Sequence, residues 1–270
     1  MKPLVIFFAL LATVAGGADP ISVKPLVQAH AHNDYEHRRP LLEALDQGFC
    51  SVEADVWLVE RRLLVAHDLK DARPERTLEA LYLDPIRARI NQNGGRVFKD
   101  GPSLTLLVDV KSDATNTYLA LRESLRRYEE MLTRFHPNKT DTNALTVIVS
   151  GNRARELMKT EAVRLAAYDG RLTDMVTGES RHLIPLISDN WSLHFKWRAR
   201  AEAESLPAED RRKLKQIVDQ AHREGRRVRF WGMPDSPAVW EALASAGVDL
   251  INTDDLAGLG QFLRVRPDGR

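Results

Sequence analysis

Ser51-Val-Glu-Ala-Asp-Val-Trp-Leu58 and, further along, Leu104-Thr-Leu-Leu-Val-Asp-Val-Lys111 are apolar runs with charged residues set two apart. Side chains two apart on a strand share a face, so Glu53 and Asp55 point together, as do Asp109 and Lys111. Val52, Ala54 and Val56 then make the opposite, apolar face. Two neighbouring carboxylates inside a barrel repel each other and are expensive to desolvate unless a cation joins them. The competing readings are a polar stripe on an edge strand for the first run and an internal Asp–Lys ion pair for the second. At the C-terminal ends of TIM-barrel strands, both runs instead read as one site. There, Glu53, Asp55 and Asp109 are candidate ligands for a divalent cation, Mg²⁺ or Ca²⁺, and Lys111 can meet a phosphate oxygen.

Outward from these runs, short apolar segments alternate with helical patterns. Candidate strands are 25–31, 51–58, 104–111, 144–150, 164–168, 183–188, 227–231 and 249–253. Helical spacing marks 39–47, 77–90, 116–135, 153–160, 208–224 and 237–246. Gly48 and Gly247 follow helical runs, and Ser236-Pro237 has the form of an N-cap with a first-turn proline. Eight strands interleaved with helices predict a single (β/α)₈ TIM barrel, and a length of 270 residues accommodates one. No Pro/Ser-rich linker divides the chain.

Met1-Lys2 followed by the uncharged apolar run Leu4–Ala15 and the small residues Gly16, Gly17 and Ala18 reads as a signal peptide. Residues 1–18 are therefore expected to be removed, leaving a barrel domain over 19–270 that is exported to a periplasmic or extracellular space. Lys and Arg total 39 against 38 Asp and Glu, so charge balance offers no case for a nucleic-acid partner. At most transient contact with a membrane surface is expected, and a monomer. Cys50 is the only cysteine, which excludes an internal disulfide; it reads as a small core residue.

His30 and His32 end the first strand two apart, and His67-Asp68 follows the apolar run 63–66. Histidines converging on an acidic cluster can act as general base and general acid on either side of a phosphorus. Spacing alone allows either His30 or His32 as the base. Trp231 and Asp235 after the seventh strand, Asp254 after the eighth, and His30 and Asn33 on either side of His32 are candidates for the pocket wall.

The stretch His32 to Asp68 resembles the opening signature of the glycerophosphodiester phosphodiesterase and phosphatidylinositol-specific phospholipase C-like superfamily: a His, Pro40, Glu53-x-Asp55, then His67-Asp68. His30-Ala-His-Asn-Asp-Tyr35 with Glu53-Ala-Asp55-Val-Trp57 is similar to a branch that includes bacterial exported proteins and the fungal altered-inheritance-of-mitochondria protein. The resemblance implies a metal-dependent phosphoric diester hydrolase acting on a glycerophosphodiester or phospholipid. It matches His32 and His67 to the acid/base pair, Glu53, Asp55 and Asp109 to the metal ligands, and Lys111 to the phosphate-contacting lysine. It also implies attack by a substrate hydroxyl to give a cyclic phosphate. Two departures stand out. His32-Asn-Asp replaces the superfamily's His-Arg-Gly, removing an arginine, and Asp109 stands where glycerophosphodiesterases carry Glu. Other readings are a catalytically silent barrel that binds phosphorylated head groups, and an amidohydrolase-like metal hydrolase. The second lacks the metal-binding histidines it needs after the middle strands, where Tyr168-Asp169 and Ser188-Asp189 stand.

Overall fold

Inward-facing and outward-facing residues alternate along eight short strands, and this alternation lets the chain close on itself. The computed structural model describes residues 23–198 and 205–266, so the expected signal segment 1–18 lies outside the described residues. The barrel strands are β1 (Leu26–Ala31), β2 (Phe49–Val59), β3 (Leu104–Val110), β4 (Leu145–Gly151), β5 (Ala166–Gly170), β6 (Leu186–Asn190), β7 (Arg227–Trp231) and β8 (Leu250–Thr253). Each is parallel to its neighbours, and β1 pairs with both β2 and β8, which closes the ring. Helices cover the outside, the longest among the described residues being Ala208–Arg223, which buries Leu214, Val218 and Ala221 on one stripe and exposes its charges.

The main core fills the layer between barrel and helices. A second, smaller apolar cluster holds Leu107, Ile148, Ala167, Leu186 and Leu250 together with Phe135. Leu107 is the register partner of both Glu53 and Ile148, so this cluster is the interior plug of the barrel. Above it the same inward faces turn polar, with Glu53, Asp109, Ser150, Asp169 and Arg229. Below it they turn polar again, with Thr105, Thr146 and Arg227.

Several boundaries depart from the pattern-based expectation. The fifth and sixth strands start two or three residues late. Arg164 is taken by an antiparallel bridge to Phe135, and Pro185 has no N–H to donate to a ladder. The helix expected over 116–135 is Ala114–Arg126 and stops there. Tyr128, Met131, Leu132 and Phe135 are still buried at helical spacing, but by a 3₁₀ turn and a two-residue strand, Arg134–Phe135, that pairs with Thr140–Asp141. The run 63–66 belongs to an antiparallel strand, Arg62–Val65, folded back on β2 through positive-φ residues Glu60 and Arg61. A final helix, Leu256–Val265, had no counterpart in the sequence pattern. Ser236 does cap the helix Pro237–Ala246, accepting from the Val239 N–H, and Gly247 ends it at φ +85°. Cys50 is buried and its thiol is pushed up to about 12 by desolvation, which makes it inert.

Candidate active site

The register of β2 against β3 sets Asp55 beside Asp109 and Glu53 beside Leu107. Neighbouring strands are about 4.8 Å apart, so three inward carboxylates on two strands must crowd. Glu53, Asp55 and Asp109 each place an oxygen within 4.8 Å of the others. Gly151, the next residue on the far side of Asp109, has φ +64°, and a Cβ there would collide with the Asp109 carboxylate and the Val110 backbone.

Two cations stand inside this cluster. Lys111 Nζ lies 2.9 Å from Asp55 Oδ2 and 3.1 Å from Asp109 Oδ1. Arg229 Nη2 donates to Glu53 Oε2 at 2.7 Å, and its Nε donates to Asn252 Oδ1 at 2.9 Å. Burial raises the Asp55 carboxyl to about 6; Lys111 opposes this, while Glu53 and Asp109 add to it. Asp109 is raised by burial and then by Glu53. Glu53 behaves differently. Desolvation pushes it up, yet Arg229 and His30 more than offset this and hold it well below the usual carboxylate range.

His30, grouped with the pocket wall on sequence grounds, has no exposed surface and lies behind Glu53. Its Nε2 is 3.0 Å from Glu53 Oε2 and its Nδ1 is 2.7 Å from Ser51 Oγ. Burial and then Arg229 lower its pKa to about 4, so the ring is neutral. A neutral ring satisfies both contacts if Nε2–H donates to Glu53 and Nδ1 accepts from the Ser51 hydroxyl. His30 therefore orients a carboxylate and does not face a ligand.

His32 does reach the mouth. Its Nδ1 lies 2.8 Å from Asp254 Oδ1. A carboxylate only accepts, so the proton sits on Nδ1, and Nε2 is left to exchange one. Asn33 Nδ2 is 3.1 Å from the same Nδ1 but finds no lone pair there, and its Oδ1 lies 3.0 Å from the Tyr35 hydroxyl oxygen. Burial lowers the His32 pKa, but the Asp254 hydrogen bond and the Glu53 charge outweigh it, and the net shift is upward. Asp235 Oδ2 accepts from the N–H groups of Asp254 and Asp255, tying the β7 exit to the β8 exit. Trp231 ends β7 half-buried, in register with Asn190. His67 sits just past the Arg62–Val65 strand with more than half its side chain exposed, and its carbonyl accepts from Trp57 Nε1. It makes no hydrogen bond to His32 or to the carboxylates.

Four residues of this site were not singled out from sequence. Arg229 is one, although period two on β7 aligns Arg227, Arg229 and Trp231. Tyr35 is another, donating to Asp55 Oδ2 at 2.8 Å. Across the mouth, Asp169 accepts from Ser150, Ser188 and Arg171. Arg153 lies over the Tyr168 ring, 4.7 Å from its centroid, with its pKa lowered by burial and by Arg171.

The donor set fits a hard divalent cation. All three candidate ligands are carboxylate oxygens, and Asp55 Oδ1 is buried without a hydrogen-bond partner. Three carboxylates against Lys111 and Arg229 leave one negative charge for such an ion to offset.

Comparison with known proteins places the chain. Residues 21–169 match the model of the AIM6-like phosphodiesterase domain, and residues 227–257 match that of the glycerophosphoryl diester phosphodiesterase family. Altered inheritance of mitochondria protein 6 of Eremothecium gossypii is 31% identical, over 89% of this chain and 70% of that protein. The homolog from Arthroderma benhamiae is 28% identical over 87% of this chain and 84% of its own length. Among solved structures, a glycerophosphodiester phosphodiesterase from Parabacteroides distasonis superposes with a TM-score of 0.53 at 14% identity, covering 89% of this chain and 98% of its own. One from Agrobacterium tumefaciens gives 0.51 at 15%, over 88% and 99%. These likenesses support the TIM barrel. Its residues, spacing and relatives agree: the chain belongs to the AIM6-like phosphodiesterase domain family.

Proposed function

We propose that this protein is a divalent-cation-dependent phosphoric diester hydrolase acting on a glycerophosphodiester or phospholipid-type substrate. The observation that carries the reading is the buried Glu53–Asp55–Asp109 cluster, with the orphaned Asp55 oxygen, on the same barrel rim as the Asp254-oriented His32. When bound by these three carboxylates, Mg²⁺ or Ca²⁺ supplies stabilisation of charge on a phosphoryl oxygen. Lys111 adds a second positive charge beside that oxygen. His32, its Nδ1 proton fixed by Asp254, takes or gives a proton at Nε2, and His67 serves as its counterpart on the other side of the phosphorus. By the family resemblance, a neighbouring substrate hydroxyl attacks phosphorus and the alkoxide leaves with a proton; water then opens the cyclic phosphate. The amino-terminal segment carries the proposal of export, and N-terminal sequencing of secreted protein should begin at Asp19.

Hydrolysis of glycerophosphocholine and glycerophosphoethanolamine, both of which carry the neighbouring hydroxyl, with EDTA and then with Mg²⁺ or Ca²⁺ restored, tests the activity. Metal-rescued turnover that disappears in His32→Ala and His67→Ala is expected. Absence of turnover on these substrates and on phospholipid vesicles, with head-group binding retained, would replace the hydrolase with a silent binding barrel.

A further inference from the structure

The N-terminal end of the barrel carries a second polar cavity, on the opposite side of the apolar plug from the carboxylates. It measures about 580 Å³ and is walled by the starts of β3, β4 and β7, the loop ahead of β6, and the 134–141 hairpin. Lys139, Arg181, His182 and Arg227 line it, and no Asp or Glu does. Lys139 already pairs with Asp141 at 3.0 Å. Among the described residues, neither Arg181 nor Arg227 makes an ion pair.

Arg227 shares the inward face of β7 with Arg229, but its guanidinium meets only a neutral partner, Thr105 Oγ1 at 3.3 Å. The nearest acid in charge terms, Asp249, is engaged by His222 and by the Val228 N–H. Arg181 lies across Gly225, where a Cβ would run into its guanidinium. Hydroxyl groups complete the wall: Thr146 Oγ1 is 3.0 Å from Ser103 Oγ and 2.8 Å from Thr133 Oγ1. Half-buried Arg227 and exposed Arg181 thus present two guanidinium groups with no carboxylate partner, and guanidinium forks match the oxygens of phosphate.

We propose that this basal cavity binds a small, multiply charged oxyanion of the phosphate class between Arg181 and Arg227. The site is separate from the carboxylate mouth and stands whether or not that mouth is catalytic.

The test is calorimetric titration of the full chain, in EDTA, with inorganic phosphate and separately with glycerol 3-phosphate. One saturable site is expected, weakened about tenfold or more in Arg181→Ala and unchanged in Lys111→Ala. Arg181 is exposed, so its removal tests binding without threatening the fold. Binding by one probe alone would identify whether free phosphate or a phosphomonoester is the occupant. His182 gives an independent readout: its pKa is lowered by burial and by Arg181 and Arg164, and an anion in the cavity must raise it in an NMR titration. No saturable binding of either probe overturns the proposal, as does binding that survives Arg181→Ala.

Discussion

Arg229 Nη2 stands 2.7 Å from Glu53 Oε2, and neither side chain is more than 5% exposed. The pair joins β7 to β2 across the barrel interior, and His30 holds the same carboxylate oxygen from β1. Removing one partner of a buried pair strands the other. Arg229→Met is expected to lower stability by about 3–5 kcal/mol, and adding Glu53→Gln should restore much of it. Urea denaturation of the two variants decides this; a single-variant loss below about 1 kcal/mol would mean the pair is not holding the barrel.

Cation binding to the three carboxylates should also show in stability. At a concentration a hundredfold above its Kd, Mg²⁺ or Ca²⁺ should add about 2.7 kcal/mol, read as a rise in Tm. Asp109→Asn should abolish the rise. A shift that persists in that variant would move the ion elsewhere.

Asp254 raises the proton affinity of His32 through a 2.8 Å hydrogen bond. In Asp254→Asn the His32 pKa should fall, carrying its limb of the pH–rate profile to lower pH. Loss of His32 itself should reduce kcat about 10²–10⁴-fold. An unchanged profile in Asp254→Asn would break the link between the two.

Asp34 is buried and accepts from the Leu41 N–H at 2.5 Å and from Tyr82 OH at 2.8 Å. Burial pushes its carboxyl up to about 6, against those hydrogen bonds. The folded state therefore binds this proton more tightly than the unfolded chain. Its contribution is fully present below the unfolded value and is lost as pH rises through about 6. The wild-type protein should lose up to roughly 3 kcal/mol between pH 4 and 7 from this group, and Asp34→Asn should flatten that part of the slope. Parallel pH–stability curves for the two proteins would sink the assignment.

Gly151→Ala places a methyl group against the Asp109 carboxylate at a φ of +64°. A loss of about 1–3 kcal/mol is expected, with at least a tenfold drop in turnover because Asp109 must move. Full activity would show that the carboxylate has room to spare.

Much of this was legible in the chain because β-strand geometry has a fixed period. Glu53 could be placed beside Asp55, and Asp109 beside Lys111, from spacing alone, and all eight strands were locatable from apolar runs. What period two does not encode is which strand faces which across the barrel. Arg229 and Glu53 are 176 residues apart, and only closure brings them together. His30 looked like His32 on paper; burial beneath Glu53 separates their chemistry. The sixth strand began late because Pro185 interrupts the ladder, a local rule that was available and outweighed by the apolar residues before it. The helix expected through Phe135 shows the opposite failure, since buried residues at helical spacing were satisfied by a turn and a bridge.

Leu107, Ile148, Ala167, Leu186 and Leu250 make the barrel a partition, not a tube. Water or an ion arriving at the carboxylate end has no axial way through and must leave by the opening it entered. Traffic at that end thus runs in both directions through one doorway. Anything broad enough to lie across the rim, such as a lipid surface, would halt arrival and departure together.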